Sequence, residues 1–464
     1  MKRRDFFIKG GAATLGLGML SPFDMFAGDF GTPKRKVKNI IFLVSDGMSI
    51  GTLTMADLLA QRKYDRFSTW MNLYRENKIS RALMDTASAN SMVTDSAAAS
   101  SSWGGGVRVN NDSLNVGPNG EEYKPILQKF KAAGKAVGCV TTVPATHATP
   151  AGFCINNKTR SQQALIAEKY LPLKFDVMMG GGEEYFLPEE RDDGRDMFQE
   201  FRDSGYAVYR SKQEWQVDSG DQPVLGVYHK SGLPYTLDQQ QDATLMSEVP
   251  TLAEMTSFAI DKMKDNPQGF VMQVEGGKVD WAAHGNDVGA LLYDQLAFDE
   301  AVQVAMDFAS DRDDTLVIIT TDHGNANPGL IKGSEADRNF DRIIDFKQTN
   351  EWVLHRIDQQ STPGQIREVI EHAQGIAISE EEAKSLQAHY EKLSDKDLYN
   401  PYKLPFGKFA EIQRAYTNVG WAGKNHSGDF VELAMYGPGS ELLTPFVKNT
   451  DLHHFMLHVA EVEG

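Results

Sequence analysis

Four stretches of the chain share one hydropathy pattern, a short unbroken apolar run that stops abruptly at polar residues. "VKNIIFLVSDGM" stops at Asp46 and "KAVGCVTTVPATHAT" runs into His147 and Thr149. "GFVMQVEGG" ends at Glu275, and "TLVIITTDHG" ends at Asp322 and His323. Unbroken runs, unlike alternating ones, are what strands buried on both faces of a parallel sheet require. Between them lie helical patterns. In "GALLYDQLAFDEAVQVAMDFA", Leu291, Phe298, Val302, Ala305 and Phe308 recur at helical spacing, so that face is expected to pack on a sheet. The pattern predicts an α/β fold. It breaks at about residues 335–420, which are charged and poor in strand runs. There Thr362 is a candidate N-cap with Pro363 at the first helical position, and Ser379 and Glu382 have capping-box spacing. This segment reads as a helical insertion in the same domain: a lid, a dimer contact, or a solvated excursion with no role.

Composition adds limits. The 464 residues are 41% hydrophobic and 24% charged, which is ordinary for a globular chain with a sizeable core. The net charge of −17, from 47 basic and 64 acidic residues, argues against non-specific binding to nucleic acid or to an anionic membrane. At the N-terminus, "MKRRDFFIKGGAATLGLGML" has a basic start and an apolar, glycine-rich run too short for a stable membrane span, followed by "MFAG" as a cleavage site. Arg3-Arg4 followed by Phe6, Phe7 and Lys9 resembles a twin-arginine export signal over residues 1–27, so the mature protein is expected to be periplasmic or secreted. Cys139 and Cys154 are the only cysteines; export would permit a bridge between them, but spacing does not show that they come within reach, and they read as two free, buried thiols before a bridged pair.

The chemistry concentrates at the ends of the runs. Ligands of α/β sheets bind beyond the carboxyl ends of the strands, and three strands bring a carboxylate there: Asp46, Glu275 and Asp322. Asp280 and His284, four residues apart in "VEGGKVDWAAHGND", lie on one helix face and can reach one ion. His426 precedes another strand. Imidazole nitrogens with carboxylate oxygens suit zinc, whereas the oxygen set of Asp46, Thr149 and Glu275 suits magnesium. In "VTDSAAASSSWGGG", Asp95 and Ser96 precede small residues that let a helix N-terminus approach an anion closely. Two other features lead elsewhere: "MMGGGEEYFLP" lacks phosphate-loop spacing and reads as a turn, and His454 and His458 sit four apart with no shared carboxylate evident.

The motifs "VSDGM", "VTDSAAAS", "THATPAG", "VEGGKVDWAAH", "TTDHG" and "NHSG", in this order, resemble the alkaline phosphatases. The resemblance runs from about Asn39 to the C-terminus and is interrupted mainly by 335–420. It implies a three-layer α/β/α sandwich around a large, mostly parallel sheet, with one catalytic domain over 36–464. It also implies an exported phosphomonoesterase that forms a phosphoserine on Ser96. Asp280, His284 and His426 match the ligands of one zinc, and Asp46, Asp322 and His323 those of a second. Asp46, Thr149 and Glu275 match a magnesium site, Arg160 the arginine that clamps phosphate, and Asp95 the residue that positions it. His147 and Trp281 stand where some bacterial members have aspartate and lysine; His147 removes one negative charge beside the third ion. Lys158 adds a cation to the phosphate pocket or is a solvated loop lysine. The partners expected are small phosphate monoesters and a second copy in a homodimer, with neither nucleic acid nor a stable membrane span. Sulfatases of the same superfamily need a C/S-x-P-x-R motif, but "STPGQIR" has Gln365 at the arginine position. Diesterases commonly use threonine where Ser96 stands, and a non-catalytic metal- or phosphate-binding protein would bind zinc without turnover.

Overall fold

The computed structural model describes residues 30–217, 220–394 and 396–463; the expected export segment, 1–27, lies outside them. In chain order the strands are β1 (Asn39–Val44), β2 (Ser80–Asp85), β3 (Ala136–Pro144), β4 (Val177–Gly181), β5 (Ala207–Tyr209), β6 (Val224–Val227) and β7 (Phe270–Glu275). They continue as β8 (Thr315–Thr320), β9 (Gly324–Asn325), β10 (Pro328–Leu330), β11 (Val419–Trp421), β12 (His426–Ser427), β13 (Val431–Tyr436) and β14 (Phe446–Lys448). Ten of them form one sheet in the order β14-β2-β13-β8-β1-β7-β3-β4-β6-β5. Within it only β13 runs against its neighbours, β2 and β8. The predicted parallel sheet is therefore present, and three of the four marked runs, β1, β7 and β8, are adjacent at its centre, with β3 next to β7.

Every residue of β1, β7 and β8 is buried, which explains why these runs do not alternate. On one face, Ile41 and Leu43 share a core cluster with the helices Ile50–Tyr64, Leu252–Met263 and Val288–Ser310. On the other, Phe42 meets Trp103 edge-on at 5.2 Å and stacks on Phe153 at 6.5 Å, from the helices Ser96–Gly105 and Ala148–Cys154. The sandwich is thus α/β/α.

The long helix Val288–Ser310 buries Leu291, Phe298, Val302 and Ala305 as its spacing predicts, and it also buries Asp294, Gln295 and Asp299. These polar groups serve backbone and side chains nearby: Gln295 accepts from Ser45 Oγ at 2.6 Å, and Asp299 from the amides of Thr69 and Trp70. The segment at 335–420 is helical, with capping boxes at Thr362/Gln365 and Ser379/Glu382. It is not a solvated excursion, because Ile343, Val353, Ile366, Leu386 and Phe409 belong to the same core cluster as β1. Cys139 and Cys154 are free and buried, with sulfurs 3.6 Å apart. Among the described residues no helix is long and apolar enough to cross a membrane.

Candidate active site

The carboxyl ends of β1, β7 and β8 place Asp46, Glu275, Asp322 and His323 side by side, each no more than 1% exposed. Turns fix their directions. Gly47 has a φ of +65°, and its amide donates to Asp322 Oδ1 at 2.9 Å. A Cβ at Gly47 would lie 2.5 Å from Asp280 Oδ1, so only glycine lets the β1 turn pass this close to the helix Lys278–His284. Asp322 Oδ1 also accepts from the amide of His323, which leaves Oδ2 facing the site. Thr141 of β3, the register partner of Glu275, donates to Glu275 Oε2 at 2.6 Å.

Ser96 is the first residue of the helix Ser96–Gly105 and Asp95 is its N-cap, accepting from the amide of Ala98 at 2.9 Å. Its other oxygen accepts from the amide of Asp112 and from Arg160 Nη1, at 3.0 and 3.2 Å. Asp95 therefore ties the start of the Ser96 helix to Arg160. Ser96 Oγ lies 3.3 Å from His323 Nε2. The helix packs closely because it is small: a Cβ on Gly104 would lie 2.0 Å from the carbonyl oxygen of Gly152.

Among the described residues, three groups of side chains each offer ligand atoms within 4.8 Å of one another: Asp280, His284 and His426; Asp46, Asp280 and His323; and Asp46, His147 and Glu275. Asp280 bridges the first two groups. Asp322 Oδ2 adjoins the second, 3.1 Å from His323 Nε2, and Thr149 Oγ1 adjoins the third, 3.2 Å from Asp46 Oδ2.

The donor chemistry fits cations. His284 Nδ1 faces the carbonyl oxygen of Lys424 at 2.6 Å, and His426 Nδ1 that of Thr94 at 3.0 Å. A carbonyl only accepts, so both Nδ1 atoms carry the hydrogen and both neutral rings present bare Nε2 lone pairs. Those two Nε2 atoms are 3.1 Å apart beside Asp280, an arrangement that calls for a cation or a proton between them. Nearby, Asp46 Oδ1, Asp322 Oδ2 and Glu275 Oε1 are buried without a hydrogen-bond partner. Burial, followed by the charges of Asp322, Asp280 and Glu275, raises the Asp46 carboxyl far above its usual range. Burial pushes Glu275 up to about 7 although Thr141 opposes it. Buried carboxylates this crowded persist as anions only with positive charge among them.

His147 is pushed down to about 3 by burial and then by Arg160. Its Nε2 lies 3.0 Å from Arg160 Nη2; a guanidinium only donates, so Nε2 accepts and Nδ1 carries the hydrogen. Trp281 sets its ring edgewise to His147, with centroids 6.1 Å apart. Lys158 is exposed, and among the described contacts its ammonium touches none of these residues. Sequence reasoning passed over Gly47, Thr141, Asn325, whose side-chain Nδ2 donates to Asp280 Oδ1 at 2.7 Å, and the carbonyls of Thr94 and Lys424. "SDGM" held a signal for Gly47, since a glycine just after a strand-end carboxylate marks a forced turn; the carbonyls carry no side-chain signature.

The family profile described as "Alkaline phosphatase" matches residues 37–462. Alkaline phosphatase 4 of Bacillus subtilis (strain 168) is 30% identical over 426 residues, covering 90% of this chain and 87% of that one. The crystal structure of Thermus thermophilus alkaline phosphatase superposes with a TM-score of 0.86 at 30% identity, covering 96% of both chains. A cold-active alkaline phosphatase from a psychrophilic Shewanella shares the fold with a TM-score of 0.75 at 22% identity, covering 90% of this chain and 98% of that one. With its strand-end carboxylates, its buried serine and its histidine pairs in this frame, the chain belongs to the alkaline phosphatase family, whose members hydrolyse phosphate monoesters with divalent metals.

Proposed function

We propose that the protein hydrolyses phosphate monoesters through a phosphoserine formed on Ser96, with two zinc ions and one magnesium ion around it. The observation that carries this reading is the position of Ser96 Oγ, 3.3 Å from His323 Nε2 at a helix N-terminus, beside the unpartnered oxygens of Asp46 and Asp322. Asp280, His284 and His426 would hold one zinc, and Asp46, Asp322 and His323 the other. Asp46, Thr149 and Glu275, oxygen donors only, would hold magnesium, with His147 serving Arg160 instead. Bound there, the ions would supply Lewis acidity and lower the proton affinity of oxygens beside them.

The chain's own groups do the rest. Arg160, steadied by Asp95 on one side and His147 on the other, presents its planar fork to two non-bridging phosphate oxygens. The amides opening the Ser96 helix face the same anion with the positive end of the helix dipole. Ser96 Oγ attacks phosphorus, the alcohol departs, and water attacks the phosphoserine from the opposite side to release phosphate. The same reading includes export to the periplasm or beyond and a homodimer; the exposed apolar side chains of Ile50, Phe430 and Phe446 are compatible with a partner covering them.

Brief incubation with ³²P-labelled phosphate monoester, followed by acid quenching, tests the intermediate. Label is expected on the Ser96 peptide of the wild type and absent from Ser96→Ala, with turnover down by at least about a thousandfold. Label retained by Ser96→Ala would refute the assignment.

A further inference from the structure

Lys278 opens the helix that carries Asp280 and His284, and it is only 5% exposed. Among the described residues its ammonium makes no ion pair within contact distance. It sits instead between two aromatic faces, 3.6 Å from the ring centroid of Tyr235 and 4.7 Å from that of Trp281. Four carboxylates, Glu351, Asp294, Asp238 and Asp287, act on it from farther off. Three of these have other bonding partners. Asp238 accepts from the amide and hydroxyl of Thr349, Asp287 from the amides of Ala290 and Asn350, and Asp294 from the amide of Thr236. Thr349 caps the helix Asn350–Leu354, so the carboxylates around Lys278 also anchor the insertion.

From Trp281 the contacts lead directly to the phosphate arginine. Trp281 is wedged against Gly232, where a Cβ would lie 3.0 Å from its Cζ3. Its ring meets His147 edge to face, and His147 Nε2 accepts from Arg160 Nη2 at 3.0 Å. Arg160 is thus steadied by Asp95 on the Ser96 side and by His147 on the Trp281 side. We propose that Lys278 is a positioning residue for phosphate: its ammonium fixes the Trp281 face, Trp281 fixes His147, and His147 holds the Arg160 fork, which joins the insertion's anchor to the phosphate pocket. This rests on the reading of Arg160 as the phosphate ligand.

A desolvated cation–π contact corresponds to about a tenfold factor in an equilibrium constant. The test uses full-length protein loaded with zinc and magnesium, and compares wild type, Lys278→Met, Lys278→Arg and Trp281→Leu. Calorimetry gives Kd for inorganic phosphate, and p-nitrophenyl phosphate gives KM and kcat. The emission of Trp281 is taken as the difference between proteins with and without Trp281→Leu.

Lys278→Met is expected to raise Kd and KM together by about tenfold, to leave kcat within about twofold, and to shift the Trp281 emission. Lys278→Arg, which keeps the charge and stacks on the same faces, should restore all three. Wild-type Kd and KM in Lys278→Met, or a loss of kcat alone, would overturn the proposal. If Lys278→Met does not fold, Trp281→Leu decides, because it leaves Lys278 and its carboxylates in place. A similar rise in Kd supports the relay and an unchanged Kd ends it. A wild type that binds phosphate but turns over no ester would defeat the phosphoserine reading and leave the Kd comparison intact.

Discussion

Replacing Gly47 by alanine tests whether the close approach of the β1 turn to Asp280 sets the geometry of the metal ligands. The new methyl group meets Asp280 Oδ1 at 2.5 Å, its Cβ at 2.9 Å and its Cα at 3.0 Å, against ordinary contact at 3.4 Å or more. Oδ1 must therefore give way by about 0.9 Å, and the nearby backbone atom shows that rotating the carboxylate alone does not clear the space. Ligand distances tolerate only about 0.2 Å, so the displaced carboxylate no longer serves both His284 and His426 on one side and His323 on the other. A misplacement near 1 Å costs about a hundredfold in rate. The φ of +65° adds about 1 kcal/mol of backbone strain for any residue with a Cβ.

Gly194→Ala isolates that last contribution, since its φ is +66° with nothing within 4 Å of the added carbon. The assay is kcat/KM on p-nitrophenyl phosphate with zinc content by mass spectrometry and stability by urea unfolding. Gly47→Ala should lose about a hundredfold in kcat/KM and at least one zinc, whereas Gly194→Ala should lose only about 1 kcal/mol of stability. If Gly47→Ala matched Gly194→Ala in activity and zinc content, the steric argument would be wrong.

Two further outcomes follow from the buried carboxylates. Stripping divalent ions with a chelator should abolish turnover and lower the melting temperature, because Asp46, Asp280, Asp322 and Glu275 then face one another uncompensated; zinc with magnesium should restore both, and a fully active metal-free protein would contradict this. Burial pushes Asp294 up to about 7 although Lys278 opposes the shift. Its folded carboxyl therefore keeps a proton that the unfolded chain releases, so its contribution is fully present below about pH 4 and is lost as pH rises through about 7. Between those values the stability advantage of wild type over Asp294→Asn should fall by up to about 1.4 kcal/mol per pH unit, as read by urea unfolding; a constant difference would refute the assignment.

The strand-end acids were legible because burial on both faces forces unbroken apolar runs, and the polar residues that follow each run mark the sheet edge. Capping made the insertion's helices legible too: Thr362 and Ser379 are hydrogen-bonded as their spacing predicts. The insertion's packing was not legible, since the partners of Ile343 and Ile366 are far away in sequence and their periodicity identifies a buried face without naming what covers it. Nor was the environment of Lys278, which the sequence leaves indistinguishable from a solvated lysine at a helix start.

By itself the sequence determined the kinds of group available, their order, and the local turns that aim them: Asp46 before a glycine, Asp280 and His284 on one helix face, Ser96 at the head of a helix of small residues. Tertiary structure alone decided which of them meet. The adjacency of β8, β1 and β7 brings Asp322, Asp46 and Glu275 together, and the carbonyls of Thr94 and Lys424 direct the His426 and His284 lone pairs toward Asp280. Strand order and backbone carbonyls are set by the packing of the whole chain, because a parallel sheet joins segments hundreds of residues apart and every residue type carries the same carbonyl.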